Sequence, residues 1–93
     1  MLPDLPRMSR AIANFLNAAG IPTETNELTE TSKRAAKAWA ETFLDGYQLD
    51  PSELFAETYP AGANTGIVLV KNISFHGMCP HHLLPFRGSA HVA

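Results

Sequence analysis

The chain has 93 residues, of which 45% are hydrophobic and 17% charged, and seven Lys or Arg against nine Asp or Glu give a formal net charge of -2. This composition is typical of a globular domain rather than a disordered tail or a coiled coil, and it lacks the basic excess of nucleic-acid-binding proteins. Without a long apolar run or the pattern of a signal peptide, the sequence predicts a soluble cytoplasmic protein with no membrane or nucleic-acid partner.

Two amphipathic helices are predicted in the first half of the chain. The first covers residues 6–19, with Asp4 placed to cap its start and Gly20 to close its end. The second is expected to begin near Thr31 or Ser32, whose hydroxyls can cap it, and to run to residues 45–46. The apolar positions at helical spacing are Met8, Ile12, Phe15, Leu16, Ala19, Ala36, Trp39, Ala40 and Phe43, and Trp39 and Phe43 are expected in the core.

The residues on the opposite face of the second helix are Lys33, Arg34, Lys37 and Glu41. The three cationic residues are expected to form a solvated helix face rather than a phosphate site.

A short third helix is predicted where Asp50 can serve as the cap, Pro51 as the first helical residue and Glu53 as an acid in the first turn. It carries Leu54 and Phe55 and stops before Tyr59-Pro60. Residues 60–66 are expected to form a loop.

The signal then changes to β-structure. Residues 67–70 are predicted as a strand, and residues 73–75 either continue it or begin the next one. Further strands are expected at 83–86 and 89–93 around a turn at Arg87-Gly88. The order predicts an α+β fold, with a helical segment at 1–59 and the first strands of an antiparallel sheet at 60–93. The last strand is expected to leave an unpaired edge, so self-association is also expected.

The strongest chemical signal surrounds the single cysteine. Thiolate and imidazole are ligands that zinc prefers, and one tight turn, stiffened by Pro80, can aim Cys79 and His82 at one ion. His81, next to a ligand and pointing elsewhere, can act as a general acid or base near neutral pH. Spacing alone leaves two interpretations open: a zinc site at Cys79 and His82, or a buried free cysteine beside two satisfied histidines.

A third ligand is needed for a catalytic zinc, which normally has three protein ligands and one open position for water. Within the chain, His76, His91 or a carboxylate could supply it, and the spacing His76-x-x-Cys79-x-x-His82 is compatible with one site. Both histidines can equally be structural polar residues of the predicted strands.

The residues from Cys79 to Gly88 read Cys-Pro-His-His-Leu-Leu-Pro-Phe-Arg-Gly and are followed by Ala90-His91-Val92. This run resembles the zinc-site motif of the GTP cyclohydrolase I family. Segments that resemble the family's helical region precede it: Glu30-Thr31-Ser32-Lys33-Arg34-Ala35-Ala36-Lys37-Ala38-Trp39, Phe43-x-x-Gly46-Tyr47 and Asp50-Pro51. The resemblance covers residues 10–93. Pro80 stands where the family often has glutamate and Ser32 where it often has proline, and both changes look tolerable.

The resemblance implies a tunnelling fold, with Cys79 and His82 as zinc ligands and His81 as the histidine of proton transfer. It implies a zinc-dependent hydrolase that converts GTP and water to 7,8-dihydroneopterin triphosphate and formate, the first step of tetrahydrofolate and pterin biosynthesis. It also implies a homo-oligomeric ring with sites at subunit interfaces.

The family's third zinc ligand is a second cysteine that lies far beyond residue 93, as do the residues that bind guanine and triphosphate. The resemblance therefore implies the N-terminal half of an enzyme, inactive unless a C-terminal chain complements it. The alternative is a non-catalytic metal-binding or subunit-interaction module derived from the same fold.

Overall fold

The computed structural model describes residues 2–25, 27–63 and 66–93. Its helices are α1 (Leu5–Ala18), α2 (Thr31–Ala38) and α3 (Pro51–Leu54), and its strands are β1 (Val70–Met78) and β2 (Pro85–Val92). A π-helical turn (Trp39–Phe43) and a 3-10 turn (Asp45–Gln48) follow α2. Helices precede an antiparallel sheet, so the predicted α+β fold class is confirmed.

The chain divides into two compact units, Met1–Gln48 and Leu49–Ala93. The first unit contains α1, α2, the π-helical turn and the 3-10 turn, and the second contains α3 and both strands. The division at residues 59 and 60 into a helical segment and a catalytic sheet stays a prediction about function. None of the helices in the described part of the chain has the length and apolar character needed to cross a membrane.

Both ends of α1 are fixed by local hydrogen bonds. The Asp4 carboxylate accepts from the backbone N–H of Arg7 at 3.0 Å, which satisfies an amide that a helix start leaves unpaired. After the last turn Gly20 has φ +75°, and its N–H and that of Ile21 each donate to a carbonyl of the last turn at 3.0 Å. This is a Schellman motif, which favours glycine because a Cβ opposes positive φ. Both predicted end signals are confirmed.

α1 packs against α2 in the first unit. The half-buried positions of α1 are Met8, Ser9, Ile12, Ala13 and Leu16. Opposite them, Ala36 and Ala40 are 1% and 9% exposed, and the hydroxyl oxygens of Ser9 and Ser32 lie 3.3 Å apart. Phe15, predicted on the buried face, is 69% exposed because it projects roughly a quarter turn away from the centre of this contact line.

The start of α2 differs from the prediction. Its N-cap is Glu30, whose side chain makes no capping hydrogen bond, so capping by the hydroxyl of Thr31 or Ser32 is wrong. The Thr31 hydroxyl instead accepts from Arg34 Nη2 at 3.2 Å, and the Ser32 hydroxyl faces Ser9. Both hydroxyls are engaged elsewhere, and neither is free to cap the helix.

The second predicted helix is interrupted at its C-terminal end. The Leu44 N–H donates to the Trp39 carbonyl at 2.8 Å, an i to i−5 bond that defines a π-helical turn. Across this turn the rings of Trp39 and Phe43 pack with centroids 5.4 Å apart at 58°. Both rings are half-buried rather than fully in the core, since small alanines occupy the closest contact.

The opposite face of α2 is exposed to solvent, as predicted. Its cationic residues are Lys33, Arg34 and Lys37. Lys33 Nζ lies 3.1 Å from Glu30 Oε2, and Arg34 Nη2 donates to the Glu27 carbonyl at 3.1 Å. These local partners are those of a solvated helix face.

α3 is short and carries the predicted cap. The Asp50 carboxylate accepts from the Ser52 N–H at 2.9 Å and from the Ser52 hydroxyl at 2.6 Å, and Pro51 is in the first turn. These hydrogen bonds, the hydroxyl first, hold the pKa of Asp50 below its ordinary value of 3.8. The helix ends at Leu54, earlier than predicted.

The chain between α3 and β1 has no regular strand or helix in its described residues. The strand predicted from residue 67 begins at Val70. Of the predicted loop 60–66, residues 64 and 65 lie outside the described residues.

β1 and β2 form an antiparallel hairpin with continuous register from Ile73–Ala90 to Met78–Pro85. Arg87 and Gly88 lie inside β2, so the predicted turn there is wrong, and the predicted three short strands are two longer ones. Arg87-Gly88 suits a turn by composition but is part of a strand here, because the Phe75 ring of β1 packs over Gly88.

A β-bulge interrupts the other end of the hairpin. Val70 pairs with Val92 and Ile73 with Ala90, so β1 has one residue more than β2 over this interval. Asn72, in the bulge, has φ +57°. The extra residue brings Val70 onto the same face as Ile73, because side chains otherwise alternate with a period of two.

Two phenylalanine–glycine pairs cross on this face, and we call them the Phe–Gly crossover (Phe75 with Gly88, Phe86 with Gly77). A Cβ on Gly77 would lie 2.6 Å from Phe86 Cζ, and one on Gly88 would lie 2.7 Å from Phe75 Cζ. The two rings meet edge to face with centroids 6.4 Å apart at 82°. Each ring therefore occupies the space that a side chain at the opposite glycine would need.

Candidate active-site turn

The residues that the sequence singled out lie in the turn of this hairpin, Cys79–Leu84. The Cys79 N–H donates to the Leu84 carbonyl at 2.9 Å, and the Leu83 N–H donates to the Cys79 carbonyl at 2.8 Å. Leu83 has φ +57°, a left-handed conformation that four-residue hairpin loops commonly need at one position. The predicted tight turn that follows Met78 is confirmed.

The side chains of the turn differ in exposure. Cys79 is half-buried, and His81 and His82 are exposed. Cys79 Sγ lies 3.7 Å from His81 Nδ1, a distance at which a thiol and an imidazole form a hydrogen bond. His81 was expected to point away from the ligands, but its ring lies beside the sulfur. The alternative interpretation, a buried free cysteine, does not hold either, because Cys79 is only half-buried.

The other two histidines are placed along the strands. His76 is in β1 opposite Arg87, and the Nδ1 atom of His91 in β2 accepts from the Asn72 N–H at 2.9 Å. At about 3.3 Å per strand residue, the level of His91 in the hairpin is roughly 20 Å from Cys79. His91 is therefore a partner of the bulge and not a ligand candidate for the turn.

The fit of the turn to zinc is a matter of donor chemistry. Thiolate and imidazole are both ligands that zinc prefers, and Cys79 and His82 are only three positions apart in the turn. Within residues 2–25, 27–63 and 66–93, no group of three His, Cys, Asp or Glu side chains is arranged to hold a metal. Cys79 and His82 have the donor chemistry of zinc ligands, and their assignment as ligands stays a prediction.

Two residues that shape the turn were not singled out from sequence. Leu83 adopts positive φ although leucine gives no signal for it, because Gly, Asn and Asp are the residues that mark such positions. Gly77 gives no signal by itself either, because a glycine in a strand is informative only when the residue packed on it is known.

The family model of GTP cyclohydrolase I matches residues 8–93, which include most of α1 and all of α2, the hairpin and its turn. The chain belongs to the GTP cyclohydrolase I family. It is 40% identical to GTP cyclohydrolase 1 of Ralstonia nicotianae over 90 residues and 44% identical to that of Bacillus subtilis over 87. It is also 40% identical to GTP cyclohydrolase 1 of Streptococcus agalactiae over 92 residues. The family resemblance seen in the sequence is confirmed.

The three alignments cover 97%, 94% and 99% of this chain and 43%, 45% and 48% of the respective GTP cyclohydrolases. The chain therefore spans a little under half the length of these relatives.

Proposed function

We propose that the chain supplies the metal-binding turn and the proton-transfer histidine of a GTP cyclohydrolase I, which hydrolyses GTP to 7,8-dihydroneopterin triphosphate and formate in tetrahydrofolate biosynthesis. The observation that carries this proposal is the family match over residues 8–93, which spans the closed turn with Cys79, His81 and His82. The relatives that share this stretch are named for the same reaction.

Zinc is the cofactor of this proposal, with Cys79 and His82 as two of its ligands. When bound, zinc supplies a Lewis acid that activates water near neutral pH. The Cys79 thiol must lose its proton to bind, so metal binding releases protons and depends on pH. The third ligand comes from a segment outside the described residues or from another chain.

His81 is the proposed acid and base of the reaction. Its imidazole is exposed to solvent and Nδ1 lies 3.7 Å from Cys79 Sγ, so the ring contacts the sulfur and remains open to water. Imidazole exchanges protons near neutral pH, which suits transfer to the ring nitrogen and the leaving groups of the purine.

The assembly follows from the same proposal. Phe75 and Phe86 on the crossover face are 41% and 51% exposed, so the hairpin leaves apolar area for another segment to cover. We propose GTP as substrate, a homo-oligomer or a complementing C-terminal chain as partner, and a cytoplasmic location.

Zinc affinity tests the ligand assignment. The chain and its Cys79→Ala, His82→Ala and His81→Ala variants are titrated with zinc against a chromophoric chelator. Binding should weaken sharply in the first two variants and persist in the third, because a proton-transfer residue is not a ligand. Stoichiometric zinc in both Cys79→Ala and His82→Ala would contradict the assignment.

Formate release tests the activity. The metal-loaded chain is assayed with GTP alone and after addition, in trans or by fusion, of the C-terminal segment of the Bacillus subtilis relative. We expect no turnover by the chain alone and turnover by the completed protein, with His81→Ala lowering the rate far more than the zinc content. Robust turnover by the unsupplemented chain would mean that it holds a third ligand itself, with His76 as the first residue to test.

A second candidate function is a non-catalytic metal-binding or subunit-interaction module. Its support is the exposed crossover face together with a turn that carries a thiol and an imidazole, side chains of the kind that zinc prefers. A completed protein that binds zinc at Cys79 and His82 and assembles, yet releases no formate from GTP, would favour this module over the enzyme.

A further inference from the structure

We infer that Phe86, acting through Gly77, is the positioning residue that fixes the Cys79–Leu84 turn in the conformation that presents Cys79 and His82. The inference rests on the proposed metal site and adds to it a residue that touches neither ligand. It follows from three features of the hairpin: the backbone bonds of the turn, the alternation of strand pairs behind it, and the ring over Gly77.

Two backbone hydrogen bonds close the turn, and the Cys79–Leu84 pair is its junction with the two strands. The Cys79 N–H to Leu84 carbonyl bond makes this a hydrogen-bonded pair. Because hydrogen-bonded and non-hydrogen-bonded pairs alternate in an antiparallel ladder, the next pair, Met78 with Pro85, exchanges no backbone hydrogen bonds. The next fixed point behind the turn is therefore the Gly77–Phe86 pair.

At that fixed point the contact between the strands is unusually close. The Phe86 ring reaches over Gly77 so far that an added Cβ would meet Cζ at 2.6 Å and Cε2 at 2.9 Å. A ring seated directly on the opposite backbone resists both sliding and untwisting of the strands, because either motion would open a gap beneath it. Phe75 meets the same ring edge to face and limits its rotation.

The position of Cys79 follows from this contact. Its Cα is two residues beyond Gly77 in the same strand direction, and its backbone is bonded to Leu84, two residues before Phe86. A change in strand twist at Gly77–Phe86 is thus carried to the sulfur and to the turn that holds His82. Residues that orient metal ligands without binding the metal typically change its affinity about 10–100-fold when mutated.

A double-mutant cycle tests this inference on the full chain. Phe86→Ala removes the ring, and Gly77→Ala pushes the ring away. The third variant combines both changes, so that the new methyl group occupies space the ring has left. The control is Val92→Ala, which truncates an apolar residue on the same face at the far end of β2. The readouts are zinc affinity, the thiolate-to-metal absorption of the cobalt-loaded protein, and hydrogen exchange of the Cys79 and Leu83 amides.

We expect Phe86→Ala and Gly77→Ala each to lower zinc affinity about tenfold, to shift the cobalt absorption and to speed exchange of both amides. Gly77→Ala should cost nothing further in the Phe86→Ala background, since its harm depends on the ring. Val92→Ala should leave all three readouts unchanged even where it lowers the melting temperature. A merely structural role would make the three single variants alike.

The inference is overturned if Phe86→Ala alters the turn amides no more than Val92→Ala does, or if the effects of Gly77→Ala and Phe86→Ala simply add. It is also overturned if the amides exchange faster while zinc affinity and cobalt absorption stay as in the wild type. Failure of the wild-type chain to bind zinc would instead reject the proposed metal site. In that case the two amides still decide whether Phe86 fixes the turn.

Discussion

The imidazole of His91 accepts a hydrogen bond from the backbone N–H of Asn72, with 2.9 Å between the nitrogen and Nδ1. Asn72 has φ +57° and lies where β1 takes one more residue than β2. A bulge residue is left outside the ladder, so its amide needs a partner of another kind. His91, on the paired strand, provides that partner, and its neutral ring carries the proton on Nε2 because Nδ1 accepts.

Replacing His91 by Phe should weaken the bulge while keeping a ring of similar size. Loss of one hydrogen bond to an amide should lower the free energy of unfolding by about 0.5–1.5 kcal/mol. Chemical denaturation measures the loss, and hydrogen exchange should be faster at the Asn72 amide. Ser89→Ala, at the neighbouring position on the same face of β2, is the control. An unchanged exchange rate at Asn72 would show that His91 does not hold the bulge.

Alanine at either glycine of the Phe–Gly crossover should destabilise the hairpin. The new Cβ meets a phenylalanine ring at 2.6 Å at Gly77 or 2.7 Å at Gly88, and overpacking of this kind costs about 1–3 kcal/mol. Thermal or chemical unfolding measures the effect. Gly46→Ala is the matched control, because a Cβ there meets no atom within 4 Å. Equal stability of the three variants would mean that the rings move aside without cost.

Alanine at Gly20 should weaken the end of α1 for a different reason. A Cβ at this position meets no atom within 4 Å, but φ is +75°. A non-glycine residue in this left-handed region costs about 1–2 kcal/mol, and asparagine should cost less than alanine. Unfolding of Gly20→Ala and Gly20→Asn, compared with Gly46→Ala, tests this order. Greater stability of the alanine variant over the asparagine variant would contradict it.

The cap of α3 should be lost in acid. Hydrogen bonds from Ser52 lower the pKa of Asp50 in the folded chain, so the folded state favours the charged carboxylate. Its contribution is fully present above the unfolded value of 3.8 and is lost as the pH falls through the lower folded pKa. The Ser52 amide chemical shift, followed by NMR from pH 6 downward, reports the change. In Asp50→Asn this titration should vanish, and its persistence would assign the shift to another group.

Features set by neighbours in sequence could be predicted from the sequence. Asp4, Gly20 and Asp50 act on residues within four positions of themselves, and each was found where its chemistry indicated. The turn between the strands was located in the same way, because Cys79, Pro80 and His82 are close in sequence, and metal binding by this turn stays a prediction.

Features set by distant partners could not be predicted. Arg87-Gly88 suits a turn by composition, and it lies in a strand because Phe75, thirteen positions earlier, packs on the glycine. The alternation of apolar residues is broken between Val70 and Ile73, and only the pairing with β2 shows that a bulge restores it.

β1 and β2 are consecutive in the chain and are connected only by the Cys79–Leu84 turn. Pairing of the residues next to the turn therefore closes only a short loop. A loop of about ten residues closes in about 10–100 ns, and a hairpin forms in about 1–10 μs. A ribosome adds about 5–20 residues per second, so it needs about 50 ms or more for each new residue. The turn with Cys79 and His82 can therefore take shape on the nascent chain thousands of times faster than the next residue is added.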